Sequence, residues 1–168
     1  ALQPKWYVVC DAHLDMQDEY RGSPFNHDCV TARVSETVEN IVIIGARSGC
    51  QEEFSYAREH YHLYTADEVE ERGIRDVLDE VSGLIGDDSL YLSIDADAID
   101  CCLTPGLGTP EPFGLTPADI RAVVRRLCKN AVGFAYVEVL PNDQGQTAMV
   151  AAHLIREFIA GHFCGKQE

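Results

Sequence analysis

Three side chains that can bind a metal follow a short apolar run near the start of the sequence. The run covers residues 6–10 and predicts a buried strand. Asp11, His13 and Asp15 come directly after it, and residues two apart on extended backbone point to the same side. Two carboxylates and an imidazole that converge form a site for a divalent cation such as Mn²⁺, Fe²⁺ or Zn²⁺. A solvated loop explains this stretch, taken alone, equally well.

A second apolar run ends in a similar acidic pair. Residues 90–94 predict another strand, and Asp95 and Asp97 follow, with Asp100 close behind. The carboxyl ends of the strands of an open α/β sheet form its ligand-binding edge. Like charges at two neighbouring strand ends are unfavourable unless a cation offsets them. The two stretches together therefore predict a site for two neighbouring metal ions.

The composition of the chain excludes several classes of partner. Its 168 residues, 46% of them hydrophobic, predict one globular domain. The formal net charge of -15 argues against nucleic acid and favours cations, either metals or a basic substrate. No apolar run approaches the roughly 20 residues that span a membrane, and the start lacks a signal-peptide pattern. Seven cysteines without a C-x-x-C pair favour a reducing compartment, so we expect a cytoplasmic protein.

Strands alternate with helices along the rest of the chain, which predicts an α/β fold with a mostly parallel sheet. The periodicity predicts further strands at 41–45, 60–64 and 132–140, and helices at 66–85, from 117 onwards and after 146. A loop rich in Gly and Pro at 104–115 is expected to border the site. The sequence contains no dinucleotide, phosphate-loop or G-x-S-x-G motif.

Four other residues near these stretches carry reactive groups. His27 lies in a polar loop twelve residues beyond Asp15, where it can fold back and transfer protons, although a lone loop histidine is more often plain surface. Glu138 is predicted inside the strand at 132–140, where an unpaired carboxylate is costly, so we expect it to pair with an arginine or with a cationic substrate. The adjacent Cys101 and Cys102 are interpreted as loop residues rather than ligands.

Together these stretches resemble the ureohydrolase family, which includes arginase and agmatinase. The resemblance rests on residues 11–15, 93–97, 105–115 and 137–141, while residues 18–22 and 26–29 are most similar to agmatinase-type members from archaea. It implies a three-layer α/β/α sandwich with a mostly parallel sheet, a binuclear Mn²⁺ centre, and hydrolysis of a guanidino group to urea and an amine. It also implies a homo-oligomer, either a trimer or a hexamer.

The resemblance assigns metal ligands residue by residue. Asp11 and Asp95 would bridge the two Mn²⁺ ions. Asp15 would bind one ion, while His13 and Asp97 would bind the other.

It also assigns the catalytic and substrate-binding residues. His27 matches a loop histidine that is a candidate proton shuttle, and Glu138 matches the acid that holds the guanidinium of the small cationic substrate. A hydroxide that bridges the metals would attack the guanidinium carbon. Asp15 would take its proton and pass it to the leaving amine.

One family motif, Gly-Gly-x-His upstream of the first acidic stretch, is absent because the chain starts ten residues before Asp11. We therefore expect residues 1–168 to be the C-terminal portion of a single, N-terminally truncated ureohydrolase domain that binds metal weakly and turns over poorly alone. The leading expectation is an agmatinase that makes putrescine for polyamine synthesis. Arginase, other guanidino or amidino hydrolases, and a non-catalytic homologue remain open.

Overall fold

The computed structural model describes residues 3–164 and shows five strands, each followed by one helix or, after the third strand, by two. The strands are β1 (Trp6–Cys10), β2 (Asn40–Ala46), β3 (His62–Thr65), β4 (Leu90–Asp95) and β5 (Ala131–Val137). The helices are α1 (Val30–Ser35), α2 (Gln51–His60), α3 (Ala66–Arg72), α4 (Ile74–Ile85), α5 (Pro117–Leu127) and α6 (Gln146–Cys164), with short 3-10 turns at His27–Cys29 and Ala96–Ala98.

All neighbouring strands of the sheet pair in parallel, in the order β3-β2-β1-β4-β5. Cys10, the last residue of β1, lies in register with Ile94 of β4. The residues that follow these two, Asp11 and Asp95, are therefore neighbours at the carboxyl edge of the sheet. Both predicted acidic stretches consequently begin from central, adjacent strands.

Helices cover the two faces of the sheet and form the three layers expected for this fold. On one face, Val8, Val42 and Leu92 pack in a large core with side chains of α3, α4, α5 and α6. On the other face, Val9 and Ile43 pack with residues of α1 and α2 in a smaller core. This two-sided burial explains why the central strands are continuous apolar runs.

Local sequence signals set several of the element boundaries. Thr116 caps α5 by accepting from the backbone N–H of Asp119, and Pro117 is its first helical residue. The single helix predicted at 66–85 is wrong, because Gly73 separates α3 from α4. Gly73 has a φ of 82°, a left-handed conformation that glycine adopts at little cost.

The last strand is shorter than predicted. Pairing between β4 and β5 ends at Asp95 and Val137, so Glu138 does not lie inside a strand as the sequence suggested. Glu138 has a φ of 59°, which turns the backbone out of the extended conformation, and its side chain is exposed. The chain then returns to the Gly- and Pro-rich loop, where the Leu140 amide donates to the Gly106 carbonyl at 2.8 Å.

Candidate metal centre

A compact group of metal-capable side chains comprises Asp11, His13 and Asp97, called here the acidic centre. One ligand atom from each lies within 4.8 Å of the other two. The Nδ1 atom of His13 is 3.4 Å from a carboxylate oxygen of Asp11 and 3.4 Å from one of Asp97. The sequence predicted this convergence, and it results from the parallel register of β1 and β4.

Backbone hydrogen bonds hold the two carboxylates of the acidic centre in place. The His13 amide donates to Asp11 Oδ1 at 2.7 Å, and the Ala12 amide donates to Asp97 Oδ1 at 3.4 Å. Asp97 is only 1% exposed, so these bonds replace much of its lost hydration. The carboxylates are therefore oriented before any cation binds.

The electrostatics of the acidic centre are those of a group of carboxylates around one cation. Hydrogen bonds to Asp11 and Asp97 raise the pKa of His13 to about 10. Burial raises the pKa of Asp11 to about 6, against the opposing effect of its His13 hydrogen bond. Burial also acts to raise the pKa of Asp97, but the hydrogen bond and charge of His13, together with the Ala12 backbone hydrogen bond, outweigh it, and the pKa lies below the ordinary value. His13 thus supplies the positive charge that ionised Asp97 requires.

Asp15 and Asp95 line the same cavity but lie outside the compact group. Burial, followed by the charge of Asp11, raises the pKa of Asp15 to about 8 and that of Asp95 to about 9. Carboxylates with pKa values this high lack a neutralising partner. A second cation beside Asp15 and Asp95 would supply that charge, which is consistent with the predicted site for two ions.

The Gly- and Pro-rich loop contributes residues that sequence reasoning missed. Thr109 donates its hydroxyl to Asp97 at 3.1 Å, and a carboxylate oxygen of Glu111 is 3.8 Å from His13 Nε2. The loop was expected to border the site, and Thr109 and Glu111, each followed directly by a proline, were the available signal.

Arg47 was also missed, and it ties that loop to the acidic centre. Its guanidinium donates to the backbone carbonyls of Asp97 at 2.8 Å, Glu111 at 2.9 Å and Pro112 at 2.8 Å. Each carbonyl comes from a residue at least fifty positions away in the chain, so no local pattern could reveal the contact.

His27 and Glu138 lie on the wall of the cavity rather than in the acidic centre. His27 is exposed, pairs with Asp28 at 2.9 Å and packs edge-on against Tyr20. Glu138 is also exposed, and no ion pair recorded among residues 3–164 includes it. The expected alternative of an arginine partner for Glu138 therefore finds no support in the described part of the chain.

The cavity beside these residues has a volume of about 560 Å³. Its acidic end contains all five predicted metal ligands, and its remaining wall is largely apolar, with Tyr7, Val9, Tyr91 and Val137. A cationic head group and a short hydrocarbon chain would be accommodated together in such a space. Carboxylate and imidazole donors of this kind suit Mn²⁺, so the residues fit the predicted metal.

Comparison with known proteins points to one family. The sequence model of the arginase family matches residues 3–161 of the chain. An agmatinase from Pyrococcus horikoshii is 36% identical over 95% of this chain and 56% of its own length. An N(1)-aminopropylagmatine ureohydrolase from Thermococcus kodakarensis is 38% identical over 92% of this chain and 54% of its own length.

Solved structures show the same likeness. The crystal structure of agmatine ureohydrolase of Thermoplasma volcanium aligns with a TM-score of 0.91 and 35% identity, over 100% of this chain and 59% of that one. The chain thus spans little more than half the length of these relatives.

None of the helices among residues 3–164 combines the length and the apolar character that a membrane span requires.

Proposed function

Because the chain belongs to the arginase family, we propose that it carries most of the active site of a binuclear manganese ureohydrolase. The proposed reaction is hydrolysis of the guanidino group of agmatine, or of a related guanidino-amine, to urea and putrescine or its analogue. The observation that supports it most is the acidic centre, which shares one cavity with Asp15 and Asp95. The chain spans little more than half the length of these relatives. The hydrolytic activity is therefore proposed for the protein that contains this chain.

The acidic centre and its neighbours would hold two Mn²⁺ ions. Asp11 and Asp95, from adjacent strand ends, would hold them together with His13, Asp15 and Asp97, which line the same cavity. Bound metal ions would lower the pKa of a water so that a nucleophile forms near neutral pH.

The remaining chemistry comes from protein side chains. Asp15, which lines the cavity beside the acidic centre, would accept a proton from the water and transfer it to the leaving amine. His27 lies on the cavity wall and would exchange that proton with solvent. Glu138 would bind the planar guanidinium cation through charge-assisted hydrogen bonds, since it has no recorded ion-pair partner among residues 3–164.

The wall of the cavity favours an amine substrate over an amino acid. Tyr7, Val9, Tyr91 and Val137 offer apolar surface for the hydrocarbon chain of agmatine or aminopropylagmatine. An α-carboxylate would meet several acidic residues at the site, which disfavours arginine and guanidino acids. Among described residues that line the cavity, no lysine or arginine is available to bind it.

Urea release from agmatine, N(1)-aminopropylagmatine and arginine, measured with saturating Mn²⁺, tests the proposal. We expect slow turnover of the amine substrates, and loss of that turnover in Asp95→Asn. The matched control is Asp87→Asn, since Asp87 is an exposed aspartate outside the cavity. If no guanidino compound yields more urea with the natural chain than with Asp95→Asn, the catalytic proposal fails and a non-catalytic homologue is favoured.

Two further expectations belong to this proposal. A homo-oligomer, either a trimer or a hexamer, is inferred from resemblance to the family. A cytoplasmic location is inferred from the seven cysteines, none of which forms a disulfide. Light scattering of the purified protein and fractionation of the cells that produce it test these two points.

A further inference from the structure

A tight turn beyond the acidic centre brings two adjacent thiols beside a carboxylate. One ligand atom each from Asp100, Cys101 and Cys102 lies within 4.8 Å of the other two. Cys101 is half-buried and Cys102 is exposed, so solvent reaches the pair. We call these three residues the dithiol turn. The sequence suggested plain loop residues, but it could not show that the two sulfurs and the carboxylate point to one place.

Hydrogen bonds fix the backbone of the dithiol turn. Asp100 accepts from the Cys102 amide at 2.8 Å through Oδ1 and from the Gly114 amide at 3.1 Å through Oδ2. The Cys101 amide donates to the Glu111 carbonyl at 3.3 Å. A Cβ atom on Gly114 would lie 2.7 Å from the Asp100 backbone nitrogen, so only glycine permits this close approach.

Adjacent cysteines in a turn can bind a metal more readily than they can form a disulfide. Consecutive Cα atoms are about 3.8 Å apart, which is below the roughly 4.4 Å lower end for disulfide-bonded pairs. A disulfide would bring the two sulfurs to about 2.05 Å from each other. A tetrahedral ion with metal–sulfur bonds of about 2.3 Å holds two sulfurs about 3.8 Å apart, so the two side chains need not approach as closely. Thiolate ligands select soft or borderline ions, unlike the oxygen and nitrogen donors of the acidic centre.

We propose that the dithiol turn is a second metal site, specific for a soft divalent cation such as Zn²⁺ or Cd²⁺. The sulfurs of Cys101 and Cys102 and one oxygen of Asp100 are the protein ligands, and water completes the coordination. Binding converts two thiols to thiolates and releases their two protons to solvent. Each Asp100 oxygen retains a lone pair after accepting its backbone N–H, so the carboxylate can bind the metal without losing the hydrogen bonds that shape the turn.

The other cysteines provide internal controls. Cys10, Cys29 and Cys128 are buried and inaccessible to ions in solution. Cys50 is exposed and lies beside Glu53, whose carboxylate accepts from the Cys50 amide at 3.0 Å. Cys50 therefore matches the dithiol turn in exposure and in acidic surroundings but offers a single thiol.

Cadmium binding to the reduced 168-residue chain tests the proposal. Cadmium–thiolate bonds absorb in the ultraviolet, whereas cadmium bound to the oxygen and nitrogen donors of the acidic centre gives no such band. We expect the band to saturate at one ion per chain, to be displaced by Zn²⁺ and to persist in excess Mn²⁺. Cys101→Ser and Cys102→Ser should each weaken the binding that produces the band by at least about tenfold, since loss of even an outer-shell partner commonly costs that much.

The control variant Cys50→Ser should retain the band unchanged. Thermal unfolding of each serine variant verifies that the chain is folded, and these exposed or half-buried positions should tolerate serine. A thiolate band of equal strength and affinity in Cys101→Ser and Cys102→Ser would overturn the proposal. So would a band that disappears in Cys50→Ser, or no band with the natural chain at several equivalents of cadmium.

Discussion

The acidic centre and the dithiol turn are close in the chain yet differ in chemistry and in construction. The acidic centre presents oxygen and nitrogen donors, mostly buried, at the carboxyl ends of two central strands. The dithiol turn presents sulfur near the surface and is shaped by hydrogen bonds to a neighbouring loop. Hard ions such as Mn²⁺ suit the former and soft ions suit the latter. Ligand type, rather than nearness in sequence, therefore determines which ion each site selects.

The largest effect that separates the two sites should come from Asp97→Asn. This change removes a buried carboxylate that contacts His13 at 3.4 Å, and the amide that replaces it is a poor metal ligand. We expect Mn²⁺ affinity to fall at least about 100-fold, since even outer-shell changes cost about 10- to 100-fold. Isothermal titration with Mn²⁺ measures the change, and titration with cadmium should show the thiolate band unaltered.

The matched control for this prediction is Asp87→Asn, which also removes one negative charge from the chain. Asp87 is exposed and lies outside the cavity, so Mn²⁺ affinity should stay within about twofold of the natural value. Equal losses in Asp97→Asn and Asp87→Asn would mean that overall negative charge, rather than ligation, attracts Mn²⁺.

The framework around both sites was largely predictable from sequence because it depends on local patterns. The runs at 6–10 and 90–94 became β1 and β4, and the acidic pairs after them met at one edge, since parallel register follows from the alternation of strands and helices. The threonine–proline pair at 116 and 117 correctly marked the start of α5.

What sequence could not reveal depends on contacts between distant residues. Arg47 donates to four carbonyls in other segments, and the geometry of the dithiol turn requires the close approach of Gly114. The end of β5 was misplaced because Val137 and Val139 continue the apolar pattern of the strand on either side of Glu138. The backbone nevertheless turns at Glu138. Hydrophobic periodicity reports burial and does not report where the neighbouring strand stops pairing.

Arg47 connects the two sites, and its removal should reduce stability by an intermediate amount. Arg47→Met retains the aliphatic stem but leaves the carbonyls of Asp97, Glu111 and Pro112 without their donor. We expect the free energy of unfolding to fall by about 1–3 kcal/mol, because the carbonyl of the buried residue Asp97 loses its donor. Urea denaturation measures the loss.

A surface arginine provides the comparison for that variant. Arg126 pairs with Asp79 at 2.6 Å where both side chains are largely exposed. Arg126→Met should change the free energy of unfolding by less than about 1 kcal/mol, since exposed ion pairs contribute little. If the two variants lose the same stability, then the Arg47 hydrogen bonds do not support the acidic centre as described.

The two sites should also respond differently to pH in the chelator-treated chain. Burial raises the pKa of Asp95 to about 9 and that of Asp15 to about 8, so the folded state retains protons that the unfolded state has already released. Stability therefore falls as pH rises from the ordinary aspartate pKa towards these values, by at most about 1.4 kcal/mol per pH unit for each proton. His13, with its pKa raised to about 10, adds to the fall above its ordinary pKa.

Urea denaturation at several pH values measures this slope. Asp95→Asn should flatten it, because the amide is never ionised. In the dithiol turn, the hydrogen bond from the Cys102 amide holds the pKa of Asp100 below its usual range, so Asp100 stays ionised above that range. Asp100→Asn should therefore leave the slope between about pH 6 and pH 8 unchanged. A slope that Asp100→Asn flattens as much as Asp95→Asn would contradict the assignment of the raised pKa values to the carboxylates beside the acidic centre.

The smallest expected effect is that of Cys101→Ser on Mn²⁺ binding, and it tests whether the two sites are independent. The backbone amide of Cys101 donates to the Glu111 carbonyl at 3.3 Å. Replacing the cysteine side chain by that of serine leaves this backbone hydrogen bond in place. The loop that carries Thr109 to Asp97 should therefore keep its position, and Mn²⁺ affinity should change by less than about twofold. Titration with Mn²⁺ in the presence of a thiol reductant measures it. A loss of tenfold or more would show that the Cys101 sulfur itself acts on the acidic centre, and the two regions would then be parts of one metal site.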